Sequence, residues 1–392
     1  MGAAKYANKV NARTRFVVRA VLVFRHFAVM FACIERSGES GSALMGHPDR
    51  MKIDRRALLS GLSAALVSPR AGFAAGVVDS AGRAIAVPDK VERVFAAGPP
   101  AAILLYTFAP DLLVGWTRKQ TPEQCEFLGA GACDKPEVGR LTGRGNTTNL
   151  EVLLQLKPDL VLDVGTIDDT YISLADRVRE QTGIPYALLD GRFEAIVALY
   201  RKLGQLTRRE TQAQEFAHYA DTTIKTIEGR IEKIPESQRP RVYYGRGPRG
   251  LETGLGGSIN VETMEFLGAR NVAGERRGGI ATVSVEQVLA WNPDVILTIE
   301  PAFAASVRTD PVWAPIKAVQ TGRVHLSPRL PFAWVDFPPS VNRLIGLWWL
   351  AKVLYPEHFP EDLKPITRDF YRQFYHVTPS EAQIDRVLVD AT

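Results

Sequence analysis

A sixteen-residue pattern occurs twice and constrains this chain more than any other feature. LEVLLQLKPDLVLDVG at 150–165 aligns without a gap on VEQVLAWNPDVILTIE at 285–300. In each copy a short apolar helix must stop before Pro158 or Pro293, because proline cannot continue it. An aspartate then sits in the turn and an apolar strand comes next. One helix–turn–strand unit per half of the chain implies two similar lobes.

The remaining chain supports the same reading. Strand-like runs at Arg93–Gly98, Leu112–Thr117, Asp159–Gly165, Pro185–Asp190, Arg241–Arg246, Asp294–Glu300 and Arg323–Ser327 alternate with helical runs such as Ala102–Phe108 and Asp169–Thr182. Such alternation predicts an α/β fold with mainly parallel sheets. Between the halves, residues 210–234 contain no proline and a single glycine. Ala213, Phe216, Ala217, Ala220, Ile224, Ile227 and Ile231 recur there at helical spacing. The expected architecture is two similar α/β lobes joined by one long rigid helix. Residues 76–209 form the first lobe, 210–234 the connecting helix and 235–392 the second lobe.

The basic character of the chain (pI near 9.0) is concentrated at its beginning. Of 48 Lys and Arg, 12 lie in the first 75 residues, against 4 of the 43 Asp and Glu. The rest of the chain is slightly acidic, which argues against a nucleic-acid surface. From Met51 the sequence reads MKIDRRALLSGLSAALVSPRAGFAAG. Arg55-Arg56, a short apolar run and an exit at Gly72 and Ala74 give the layout of a twin-arginine signal peptide cleaved near Ala74. Residues 1–50 read as an over-extension upstream of the true start. The expected location is the periplasm. In an oxidising compartment, Cys125 and Cys133, eight residues apart on a Gly-rich stretch, are disulfide candidates.

Two lobes, one linking helix and an export signal resemble the class III, helical-backbone family of periplasmic binding proteins, which serve importers of ferric siderophores, haem and cobalamin. The most specific elements are N-L-E at Asn149–Glu151 before L-K-P-D-L-V, and V-S-V-E-Q-V at Val283–Val288 before N-P-D-V-I. By this resemblance, Glu151 and Glu286 are the two permease-docking glutamates, one per lobe. The implied partner is an ABC permease dimer in the cytoplasmic membrane, served by a monomer. The stretch SPRLPFAWVDFPPSVNRLIGLWWLAKVLYPE at 327–357 looks like the branch that includes molybdate- and tungstate-binding members.

Ligands of parallel α/β lobes meet the loops at the carboxyl ends of strands. That rule selects 98–100, 141–146, 165–168, 244–257, 300–303 and 328–336. Arg144, Arg246, Arg249 and Arg329 in these loops suit an anion, whether a metal complex or an oxyanion. Tyr244, Phe303 and Trp334 are candidates to pack against an organic shell. Tyr243 and Tyr244 are adjacent on a strand and face opposite ways, so only one can serve. The scattered histidines offer no metal site, no catalytic motif is present, and no cofactor is expected. The first ligand expectation is an intact ferric siderophore, with molybdate or tungstate as the alternative and a chelatase-like enzyme as the reading from another class. Cobalamin is disfavoured, because no Trp stands before N-L-E near Gly145.

Overall fold

The computed structural model describes residues 76–143 and 145–389. The leader expected at 1–75 and the candidate Arg144 lie outside them. Strands β1 (Val94–Ala96), β2 (Leu160–Gly165) and β3 (Tyr186–Asp190) pair in parallel in that order, with Phe95 opposite Val161 and Leu162 opposite Ala187. A second parallel sheet has the order β7-β6-β4-β5, built from β4 (Arg241–Gly245), β5 (Arg270–Asn271), β6 (Val295–Thr298) and β7 (Val324–Leu326). The two-lobed α/β architecture expected from the repeat is present. The stretch 112–117 departs from its expected strand. Leu113 bridges only Val94 and Trp116 only Glu137, so no continuous ladder forms.

Period-two alternation assigns each sheet residue to one of two cores. Val94, Ala96, Leu160 and Leu162 join Val242, Tyr244, Val295 and Leu297 in one large cluster that runs through both lobes. Their neighbours Phe95 and Val161 face an outer core under the first sheet, and Tyr243 and Ile296 one under the second.

The helices used below are α1 (Pro99–Phe108), α2 (Leu150–Leu156), α3 (Asp169–Thr182), α4 (Ile196–Thr207), α5 (Glu210–Ile231), α6 (Val285–Trp291), α7 (Arg343–Leu354) and α8 (Leu363–Phe370). The linking helix α5 has 22 residues, about 33 Å at 1.5 Å per residue. It buries Ala213, Phe216, Ala217, Ala220, Thr223, Ile227 and Ile231. A Cβ on Gly204 of α4 would lie 2.5 Å from Ala213, so glycine permits the close α4–α5 contact.

The repeated unit is reproduced in detail. Asn149 caps α2 by accepting from Val152 N at 3.0 Å, and Ser284 caps α6 by accepting from Gln287 N at 3.2 Å. Both helices end on a left-handed residue, Lys157 (φ 47°) and Asn292 (φ 44°). The turn aspartates then tie down the first residue of a neighbouring strand segment. Asp159 Oδ2 accepts from Arg93 N at 2.9 Å, and Asp294 Oδ2 from Arg241 N at 2.9 Å.

After β7 the chain crosses back toward the first lobe. Gln124 Nε2 donates to Pro331 O at 2.8 Å, Phe332 packs on Trp116 (5.8 Å), and Phe374, beyond α8, packs on Phe216 of α5 (5.1 Å). Gln124 adjoins the disulfide Cys125–Cys133, whose Cα atoms are 6.0 Å apart. Among the described residues, no helix is long and apolar enough to cross a membrane.

Candidate functional site

The carboxyl ends of the first-sheet strands open on a cavity of about 150 Å³ that two second-lobe residues also line. Pro99, Thr142, Gly143 and residues 165–167 come from the first lobe, and Ile259 and Pro339 from the second. Asp163 of β2 also lines this cavity and is itself almost fully buried. Its Oδ1 accepts from Thr142 Oγ1 (3.0 Å) and Val164 N (2.9 Å), and its Oδ2 from Tyr186 OH (3.1 Å). Burial outweighs these bonds and pushes the Asp163 carboxyl above the usual carboxylate range.

On the second-lobe side the organising residue is Asp336, fully buried. Its Oδ2 accepts from Tyr244 OH at 2.7 Å and pairs with Arg246 Nε at 2.9 Å. Its Oδ1 accepts from Asn260 Nδ2 at 2.8 Å and from Phe337 N at 2.7 Å. One carboxylate therefore joins the end of β4, the Gly-rich loop 254–260 and the crossing segment. Burial, then the Asp336 charge, pushes the Tyr244 phenol well above its ordinary value, so Tyr244 acts as a neutral donor. The Arg246 guanidinium carbon lies 6.0 Å from the Tyr244 ring centroid and 5.9 Å from that of Phe337.

A second, partly buried ion pair ties the lobes together. Arg343 Nη1 contacts Glu262 Oε2 at 2.8 Å, while its Nη2 donates to Gly191 O at 2.5 Å. Glu262 Oε2 also accepts from Phe193 N at 2.8 Å. This clasp borders a smaller pocket that shares Pro100, Val164 and Pro339 with the inter-lobe cavity.

The structure separates the sequence candidates. Tyr244 and Arg246 share the Asp336 cluster. Arg249 and Arg329 are exposed on loops that follow β4 and β7, and neither makes an ion pair with a described residue. Two aromatic candidates serve packing and present no surface to a ligand. Phe303 is fully buried against Trp313 (5.0 Å) and fills the space that Cβ atoms on Gly245 and Gly250 would occupy. Trp334 is fully buried, and its carbonyl approaches Gly346 so closely that a Cβ there would lie 2.2 Å away. Tyr243 faces the outer core and donates to Gly250 O at 2.6 Å. Glu151 and Glu286 are both exposed in the first turn of the equivalent helices α2 and α6. The Ser284 side chain holds the Glu286 carboxyl below its ordinary value.

Sequence reasoning passed over Asp336, Asn260 and Phe337 as individuals, although Asp336 ends a loop that the strand-end rule selected. The only signal was a lone acid within an apolar stretch, AWVDFPP. Among the described residues, no group of three His, Cys, Asp or Glu is placed to hold a metal ion.

The profile of the family described as Periplasmic binding protein matches residues 130–329, just over half of the chain. The chain is similar to the molybdate-binding protein MolA of Haemophilus influenzae, 28% identical over 352 residues, covering 82% of this chain and 95% of that protein. The structure of MolA with bound molybdate superimposes with a TM-score of 0.64 at 25% identity, over 78% of this chain and 99% of that one. An ABC transporter solute-binding protein from Sulfurospirillum deleyianum matches with a TM-score of 0.73 at 28% identity, over 80% and 99% of the two chains. A high-affinity haem uptake protein, IsdE of Staphylococcus aureus, is 25% identical over 233 residues, 56% of this chain and 76% of that protein.

Proposed function

Since the chain belongs to the periplasmic binding protein family and is a substrate-binding protein of an ABC importer, we propose that its ligand is a small oxyanion of the molybdate or tungstate class. The observation that carries this reading is the near full-length similarity to a molybdate-binding protein. The cavity supports it. At about 150 Å³ it falls below the roughly 300–1,000 Å³ of sites that enclose organic ligands. A bare oxyanion fits such a space and an intact ferric siderophore does not, so the order of the two ligand expectations is reversed.

In this reading the oxyanion sits between the loops 98–100, 142–143 and 165–167 and the second-lobe segment at Ile259 and Pro339. Arg246, fixed by Asp336, and Arg144 supply positive charge, and Arg249 and Arg329 attract the anion to the cleft. The chain is exported through its leader. The lobe boundaries stay at 76–209 and 235–392, with 210–234 as the link.

Delivery runs through Glu151 and Glu286. Equivalent positions in a twofold repeat present two acids that a twofold permease meets with two basic patches. Replacing both by alanine leaves oxyanion affinity unchanged and lowers uptake and ligand-stimulated ATP hydrolysis in vesicles reconstituted with the cognate permease. Wild-type uptake by the double variant contradicts the docking role.

A further inference from the structure

Among the described residues, the inter-lobe cavity is lined by one acid and by no Lys, Arg or His. Its polar side chains are Thr142, Asp163, Thr166 and Tyr171. The helix start that borders it carries Pro99 and Pro100, which lack the N–H groups with which a helix start ordinarily holds an anion. Asp163 is 4% exposed, and its hydrogen bonds come from neutral donors, the Thr142 and Tyr186 hydroxyls and the Val164 N–H. No cation among the described residues pairs with it. A Cβ on Gly98 would lie 2.5 Å from Thr142 Oγ1, so the glycine leaves room for the hydroxyl that donates to the acid.

The groups around Asp163 do not offset its charge. From β3, Tyr186 donates to it, and burial, then the Asp163 charge, pushes that phenol well above its ordinary value. From α3, Tyr171 lines the same cavity, and burial, then the Asp163 and Asp168 charges, raise its phenol too. Arg83 donates to Tyr186 O at 3.0 Å, but its charge is met by Asp79 at 2.7 Å and Asp176 at 3.0 Å. From the second lobe, Ile259 and Pro339 bring no charge. Both phenols stay neutral donors, which leaves Asp163 as the lining group able to change charge. As a carboxylate it repels an anion in the cavity. As the neutral acid it offers one O–H to an oxyanion oxygen.

We propose that Asp163 is a ligand-contacting residue of the oxyanion site that enters the complex as the neutral acid, so that the protein takes up one proton with each dianion it binds. The proposal rests on the oxyanion reading above. The proton passes from solvent to the Asp163 carboxylate on binding and returns when the dianion leaves. The complex then holds one proton more than the free protein wherever free Asp163 is ionised. Affinity therefore falls about ten-fold per pH unit as pH rises through that range.

The probe is molybdate, which stays a dianion at neutral and alkaline pH. It is titrated calorimetrically into the mature protein and into Asp163→Asn between pH 6 and 9, in two buffers of different ionisation enthalpy, which gives the number of protons taken up. The wild type is expected to take up close to one proton per molybdate over the range in which its affinity falls. Asp163→Asn has the same shape and is neutral at every pH. It is expected to bind without proton uptake, with a flat pH profile, and about ten-fold or more tighter than the wild type at the alkaline end. Molybdate binding by the wild type without proton uptake contradicts the proposal and leaves the oxyanion reading standing. So does an Asp163→Asn variant that keeps the wild-type pH slope, or one that is folded by its thermal melt yet binds nothing. Should the variant not fold, the proton count of the wild type decides alone. Molybdate bound by neither protein at any pH overturns the oxyanion reading, and this proposal with it.

Discussion

Asp336 is fully buried, yet two donors and the Arg246 guanidinium converge on its two oxygens, together with the N–H of Phe337. The arrangement is consistent with the high cost of an unpaired buried charge. Removing one partner of a buried ion pair costs about 3–5 kcal/mol, since the other charge is left without compensation. Asp336→Ala is therefore expected to lower unfolding free energy by about that amount, measured by urea denaturation. Asp336→Asn keeps the shape and one acceptor and is expected to cost less. A loss below about 1 kcal/mol for the alanine variant would show that Arg246 is solvated without its partner.

At the scale of elements, much is legible in the sequence because it is local. The repeat foretells both capped helices and both strands, since proline placement and capping residues act within a few positions. The linking helix expected at 210–234 is three residues too long, because its last turn gives way at Glu232, before Pro235. Leu112–Thr117 reads as a strand because apolar alternation cannot say whether a run finds one partner strand or, as here, two separate bridges. Tyr244 and Arg246 lie at the carboxyl end of β4, where the strand-end rule looks for contacts, but neither lines the inter-lobe cavity. Asp336 does not stand out, because its partners lie 76 to 92 positions away in sequence. Phe303 and Trp334 read as ligand contacts because composition does not reveal which face of a loop an aromatic occupies.

Strand β7 also carries a pH-sensitive element. Neither ring nitrogen of His325 has a hydrogen-bond partner among the described residues. Burial, then the nearby Arg323 and Arg308 charges, lowers its pKa to about 4. The folded value lies below the unfolded value of about 6.5, so between these two values the unfolded chain binds more protons. The contribution of His325 to stability is intact above about pH 6.5 and is lost as pH falls toward about 4. The loss is at most roughly 3 kcal/mol and less where water reaches the ring. His325→Leu should flatten this part of the acid-unfolding curve, read by thermal melts from pH 7 to 4. An unchanged slope would contradict the assignment.

For the molecule as a whole, the lobes are linked by more than α5. The crossing segment is anchored on the first lobe through Gln124 and Trp116, and on the second-lobe cluster through Asp336. The Arg343–Glu262 clasp holds the Gly191–Phe193 turn against the same region. These ties favour a cleft whose size is set before the ligand arrives, and in such a cleft ligand volume decides specificity. The most direct test is native mass spectrometry of the mature protein with equimolar molybdate, tungstate, a ferric siderophore and cobalamin, followed by titration of whichever binds. The account predicts one molybdate or tungstate per monomer and no retention of intact ferric siderophore or cobalamin. Retention of the ferric siderophore with neither oxyanion bound would contradict it.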